Sequence, residues 1–406
     1  NLVSRSIGGA SSFNLAINNL QLPSINMGQV TGYYLDAFAT SITKDFIINS
    51  NSNNINLTIG FSPYSSSAQG WLNWFEINCR RSLTFTNSPQ FFFRDWNSVA
   101  QGSVSQFTIS NSSAGVAVWD ISDGTQPIKM LSTFSIGQTS FTNNSNTIKE
   151  YIAFQNTGFI TPFFIEKINN QNLHNSNTVD YLVVTHPQFI NEANRLANFN
   201  KNQYGYKVEV ATTSQVFNEF SSGIPDPSAI KNFVKMHYDK ANGDTTKQPK
   251  FLLLFGAASF DYKNRLSNNT NFVPAFESAN SFEPLLSYTT DDFYAFLKDG
   301  DDINENLSLT KMNLAVGRLP VTSIVDAKVV VDKIINYHSA KTLGSWKNNT
   351  VFVADDKDNN VHLNDAEFIS KNAFTVNNLF SQKKIFLDAF PLVSGSGGGK
   401  YPQVNA

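Results

Sequence analysis

The sequence predicts two architectures in tandem. A β-rich amino-terminal region, sandwich- or barrel-like, covers residues 1–178, and an α/β region with a mostly parallel sheet covers residues 179–406. Three observations predict this. Composition changes near residue 178, with Ser, Asn, Thr and aromatics dominating before it. In that first part, short apolar stretches alternate with turn clusters such as Asn49-Ser50-Asn51-Ser52-Asn53-Asn54, the pattern of antiparallel strands. In the second part, strand-sized apolar runs alternate with helix-spaced ones, which favours a parallel sheet covered on both faces.

In the β-rich region the clearest strand signal is residues 71–83. Trp71, Phe75, Ile77, Cys79 and Leu83 share one face, and Glu76, Asn78, Arg80 and Ser82 share the other. Arg81 interrupts the apolar face. This period-two pattern predicts a strand with Cys79 buried as a small apolar group.

In the second region Tyr181-Leu182-Val183-Val184 reads as a buried strand. Phe189, Ala193, Leu196 and Phe199 follow at helical spacing, with Gly205 as the stop. Residues 207–212 alternate as a strand. Asp226-Pro227 reads as an N-cap followed by Pro in the first turn, ahead of the stripe Ile230, Phe233, Val234 and Tyr238. Phe251–Phe255 is a third strand and residues 312–317 a fourth. A helix over 325–337, a strand over 351–354, a helix over 363–374 and a strand over 385–387 complete the alternation. Ligands in such sheets gather beyond the carboxyl ends of the strands. That directs attention to the loops beginning at Gly256, Gly317, Asp355 and Asp388.

The chain has 406 residues, enough for two to three domains at roughly 100–200 residues each. Lys plus Arg is 30 and Asp plus Glu is 32, a net charge of −2, which argues against nucleic acid as a partner. A single cysteine, Cys79, excludes an internal disulfide and a multi-cysteine zinc site. No apolar run approaches the ~18 residues that span a bilayer as a helix. Asn1-Leu2-Val3-Ser4-Arg5 carries no initiator Met, basic segment or apolar segment. The expectation is an internal or processed piece of a longer protein.

The chemical signals are sparse. Gly395-Ser396-Gly397-Gly398-Gly399-Lys400 invites a phosphate-loop reading. Ser394 stands where the first Gly is required, however, and Tyr401 stands where Ser or Thr would hold magnesium. A flexible loop is the expectation there. The five histidines are His174, His186, His237, His338 and His362, and none is paired at metal-ligand spacing. His237 and His338 fall near helix ends. His362 has the best claim to a site, being close to Asp355, Asp356, Asp358 and Asp365. Asp291-Asp292 and Asp299-Gly300-Asp301-Asp302 crowd oxygen ligands. Asp291 and Asp292 are therefore candidate calcium ligands, although no EF-hand spacing is met. There is no Gly-x-Ser-x-Gly elbow, so the residues alone assemble no complete catalytic apparatus.

Several stretches nevertheless occur in a telling order. They include Gly70-Trp71-Leu72-Asn73-Trp74-Phe75-Glu76-Ile77-Asn78, Val118-Trp119-Asp120-Ile121-Ser122-Asp123, Asp291-Asp292-Phe293-Tyr294, Gly317-Arg318-Leu319-Pro320-Val321 and Phe352-Val353-Ala354-Asp355-Asp356. With these the chain resembles the gingipain-type cysteine peptidases, and among them the sortases of the type IX secretion system. The resemblance implies a caspase-like α/β peptidase domain, cut short on its carboxyl side. It implies a His-Cys dyad lying beyond Ala406, so that this piece alone is inactive. Asp355 or Asp356 would be the acid that supports the dyad imidazole, and His362 and Asp365 would lie near the substrate pocket. No cofactor is required, and calcium is the candidate ion.

The implied partners are secreted cargo with C-terminal sorting domains, lipopolysaccharide as acceptor, the outer-membrane barrel PorV and other components of the attachment complex. The β-rich region would be the docking module. The implied location is the extracellular face of the bacterial outer membrane. A non-catalytic surface adhesin or glycan-binding protein is the competing class, since a fold does not dictate its function.

Overall fold

The computed structural model describes residues 1–49, 52, 54–85, 88–155, 158–303, 311–356, 358–376, 378–395, 398–400 and 404. Two units emerge, Asn1–Asn170 with Phe282–Leu285, and Gln171–Ser281 with Leu286–Ala406. Among the described residues no helix is long and apolar enough to cross a membrane.

Among the described residues the first unit is built of β-strands with one short helical turn, Trp96–Ser98, and contains two sheet pairs. The first pair uses β1 (Leu2–Arg5), β2 (Ser11–Ile17), β3 (Leu20–Gln21), β4 (Ile25–Met27), β5 (Thr40–Ile42), β6 (Leu57–Ser62) and β7 (Gln69–Leu72). One sheet runs β5-β1-β7; in the other, β2 pairs with β3, β4 and β6. Alternation on β2 points Phe13 and Leu15 inward, where they meet Leu2, Ile25 and Met27 in a common core. The second pair uses β8 (Gln90–Phe93), β9 (Val104–Ile109), β10 (Ala117–Asp120), β11 (Ile128–Lys129), β12 (Ser132–Ser135), β13 (Gln138–Asn144) and β14 (Tyr151–Phe154). Its sheets, β11-β10-β14-β8 and β12-β13-β9, enclose a separate core. There the rings of Phe93, Phe107, Phe141 and Tyr151 pack with centroids 5.0–6.3 Å apart, within the range favoured by aromatic pairs.

The strand expected over residues 71–83 is corrected. Only its first residues are strand, in β7, where β1 supplies a hydrogen-bonding partner. Residues 73–83 carry no ladder, and Cys79 is exposed rather than buried. Alternation favours a strand only where a neighbouring strand satisfies the backbone.

The second unit carries β15 (Tyr181–Thr185), β16 (Val208–Thr212), β17 (Phe251–Phe255), the short hairpin β18 (Phe276–Glu277) and β19 (Thr289–Thr290), and β20 (Ala315–Leu319). The order β16-β15-β17-β20 is parallel throughout. Helix α1 (Ile190–Tyr204) ends at Gly205 with φ 71°, as the sequence predicts. Helix α2 (Thr213–Phe220) was not predicted. It starts with a capping box in which Thr212 and Gln215 exchange hydrogen bonds. Helix α3 (Pro227–Lys240) is capped by Asp226, and α4 (Ile324–Tyr337) by Ser323.

Val183, Leu253 and Phe255 pack with residues of α1 and α4. Leu182, Val184, Leu252 and Leu254, one residue out of phase, pack with residues of α2 and α3. The sheet is thus covered on both faces, which explains strands that read as unbroken apolar runs.

Three features differ from expectation. The fourth strand lies three residues later at its start, where register places Val316 opposite Leu252 and Arg318 opposite Leu254. The fifth and sixth strands, β21 (Asn349–Ala354) and β22 (Ser381–Phe386), pair in parallel with each other and are joined by α5 (Val361–Val376). Among the described residues they do not extend the four-stranded sheet. The Gly-rich loop is also not simply flexible. β23 (Val393–Gly395) pairs with β24 (Gly398–Lys400), while Ser396, Gly397 and residues 401–403 and 405–406 lie outside the described residues.

Candidate functional site

Strand β21 ends at the buried Ala354, and the chain emerges at Asp355. Asn359 and Asn360 then take left-handed backbone angles, φ 58° and 62°, which a short polar side chain tolerates. Asp358 accepts the backbone N–H of His362 at 2.7 Å in the opening turn of α5. This turn returns the His362 ring to the strand end. Its Nδ1 lies 2.6 Å from Asp355 Oδ1 and 2.8 Å from Asp358 Oδ2. The hydrogen bond that His362 donates to Asp355, followed by the charges of Asp355 and Asp358, raises the His362 pKa above its ordinary value. The backbone N–H of His362 is the main influence that lowers Asp358.

The structure therefore brings into contact two residues that the sequence already places near each other, Asp355 and His362. Of the other acids that the sequence places near His362, it brings Asp358 to the ring as well. Asp365, on the same helix, reaches the ring only through its field. Asp356 follows Asp355 in the same loop. The ligand atoms of Asp355, Asp358 and His362 lie within 4.8 Å of one another. One imidazole with two carboxylates suits a borderline ion better than calcium, which prefers an all-oxygen shell.

The calcium expectation at Asp291 and Asp292 meets a different arrangement. Arg318 on β20 grips both oxygens of Asp291, Nε to Oδ2 at 2.8 Å and Nη2 to Oδ1 at 2.7 Å. The same guanidinium donates to the carbonyls of Gly256 at 2.8 Å, Val273 at 2.7 Å and Pro274 at 3.2 Å. Tyr294, fully buried, donates to Pro274 O at 2.6 Å. Asp291 is paired with Arg318 through both oxygens and anchors a loop junction. Asp292 opens the short helical turn that follows, its N–H donating to Thr290 Oγ1 at 3.1 Å.

Glu219 escaped the sequence reading because its partners are remote in the chain. Glu219 accepts the backbone N–H groups of Leu173 and His174 and the side chains of Gln171 and His174, at 2.7–3.1 Å. Burial alone would raise its pKa, but these bonds win and hold it at about 2. His237, near the end of α3, is wholly buried, and burial followed by the charge of Lys240 lowers its pKa to about 4. His186 caps the turn before α1, and burial against aromatic rings lowers its pKa.

Residues 174–406 match the profile of peptidase family C25. No curated protein sequence matches the chain. Among solved structures, dimeric latent PorU from Porphyromonas gingivalis is similar, with a TM-score of 0.71 and 25% identity. The match covers 85% of this chain and 34% of that one, so the chain spans about a third of the protein it resembles. The doubly covered parallel sheet, the acid at a strand's carboxyl end and a profile match over more than half of the sequence lead to one assignment: the chain belongs to peptidase family C25.

Proposed function

We propose that the chain is the scaffold portion of a cell-surface sortase, a cysteine peptidase and transpeptidase that acts on cargo of the type IX secretion system. The observation that carries this reading is Asp355, a carboxylate at the end of a parallel strand that already orients an imidazole at 2.6 Å. A carboxylate so placed fixes the tautomer of a histidine and stabilises its cation. We assign Asp355 the role of supporting the dyad imidazole, with His362 as its resting partner and Asp365 beside the substrate path. We assign no catalytic role to Cys79. In this reading the thiol and its imidazole come from the full-length protein outside this chain.

The chemistry is acyl transfer without a cofactor. The thiolate attacks a peptide carbonyl of the cargo, a thioester forms, and the sorting domain leaves as an amine that takes the imidazole's proton. Water or an amine of lipopolysaccharide then attacks the thioester, and the thiol is released. The β-rich unit is the docking module toward PorV and the attachment complex, on the outer face of the outer membrane.

The test uses full-length protein and cargo carrying its sorting domain. Asp355→Asn should lower kcat by about 10²–10⁴ with little change in KM, and the titration of His362, followed by NMR, should fall toward 6.5. Processing of cargo by Asp355→Asn at the unaltered rate would sink the assignment. So would processing by full-length protein in which every cysteine has been replaced.

A further inference from the structure

Two carboxylates converge on one ring nitrogen at the carboxyl end of β21. His362 Nδ1 lies 2.6 Å from Asp355 Oδ1 and 2.8 Å from Asp358 Oδ2. A single proton on Nδ1 makes one well-aligned hydrogen bond at a time, so it serves the two oxygens unequally. Asp358 also has capacity to spare. Its Oδ2 takes the backbone N–H of His362, while its Oδ1 is buried and has no hydrogen-bond partner. A buried carboxylate oxygen left in this way carries a desolvation cost that a cation would remove. Among the described residues no other group of three His, Cys, Asp or Glu residues brings its ligand atoms within 4.8 Å of one another.

The chemistry of the three ligands selects the ion. Zinc binds imidazole nitrogen and carboxylate oxygen at about 2.0–2.2 Å in a tetrahedron, which sets neighbouring ligand atoms ~3.4 Å apart. The present separations reach that value when the side chains move by less than about 1 Å. Asp355 and His362 can rotate, since their side chains are 62% and 61% exposed. Asp358 is held by the backbone of His362 and forms the fixed corner. Two carboxylates balance the charge of a dication, and the fourth position is left to water. Calcium takes six to eight oxygens and is poorly matched by three ligands of which one is nitrogen.

We propose that Asp355, Asp358 and His362 form a binding site for a zinc-type divalent ion, and that an ion bound there draws Asp355 away from the dyad imidazole and so brakes the peptidase. The second half rests on the role proposed for Asp355. The ion takes the place of the Nδ1 proton, which passes to water. Asp355 then ligates the ion and is no longer available to orient a second imidazole.

Zinc chloride titrated calorimetrically into full-length protein with alkylated thiols tests the site. Asp358→Asn removes a ligand charge and keeps an acceptor for the His362 N–H, so α5 keeps its start. The variant should bind zinc at least tenfold more weakly than the parent. Cobalt(II) should give the parent the visible absorption of a four-coordinate ion, and the variant none. Equal binding by the two proteins, or no binding by the parent, overturns the site. With thiols left free, the zinc concentration that halves cargo processing, relative to each protein's own metal-free rate, should rise at least tenfold in Asp358→Asn. An equal value in both proteins would place the inhibition at the reactive thiol and overturn the brake. Zinc bound through Asp358 that leaves processing intact would also overturn the brake, by refuting the role of Asp355, and would leave the ion site standing.

Discussion

Arg318 has five N–H donors and makes five hydrogen bonds, two to Asp291 and three to the carbonyls of Gly256, Val273 and Pro274. Only a planar fork can do this; a lysine offers three donors from one atom. Arg318→Lys should therefore destabilise the second unit by about 3 kcal/mol, because it leaves part of a largely buried carboxylate and carbonyl set unpaired. Urea unfolding monitored at the second unit measures the loss, and a variant as stable as the parent would contradict the hub. Nothing in the local sequence reveals this pairing. Asp291 and Arg318 are 27 residues apart, and the acidic run around Asp291 resembled a cation site more than an arginine's partner. Asp355 and His362 were more legible, because one strand end and one helix turn bring them together within eight positions.

At the scale of elements, legibility follows locality. The strands from Tyr181–Thr185 to Phe251–Phe255 and helices α1 and α3 were readable because their caps and periodicity lie within the element itself. Gly205 illustrates the point. It closes α1 at φ 71°, and a Cβ there would meet no atom within 4 Å. Its role is thus purely one of backbone conformation. Gly205→Ala should cost about 1 kcal/mol and Gly205→Asn less, since Asn tolerates the left-handed region. Thermal unfolding of the three proteins checks the ranking. Helix α2 was missed because it is only eight residues long and its start coincides with the end of a strand. Residues 73–83 were misread because alternation reports a suitable surface, whereas a strand also needs a neighbour.

For the whole molecule, the buried His237 and the partly buried Glu219 both contribute to the acid limb of stability. His237 is neutral in the folded state, with a pKa of about 4 against 6.5 for an unperturbed imidazole. The unfolded chain therefore binds a proton first as pH falls. Stability is full above about 6.5 and declines by up to ~3 kcal/mol on the way down to 4. Glu219 acts in a lower window. Its folded pKa of about 2 lies below the ordinary 4.5, so its contribution is complete above 4.5 and is lost as pH falls toward 2. His237→Leu should flatten the decline between pH 6.5 and 4 and leave the lower limb intact. Denaturant midpoints at intervals across that range provide the check, and an unchanged slope would assign the decline to another group.

The amino-terminal unit places its two sheet pairs around cores that share no residue. A lesion that empties one interior leaves the other's packing untouched, so damage is contained instead of spreading. Such compartments let one half diversify its sequence while its neighbour keeps the assembly upright, much as bulkheads isolate a flooded hold.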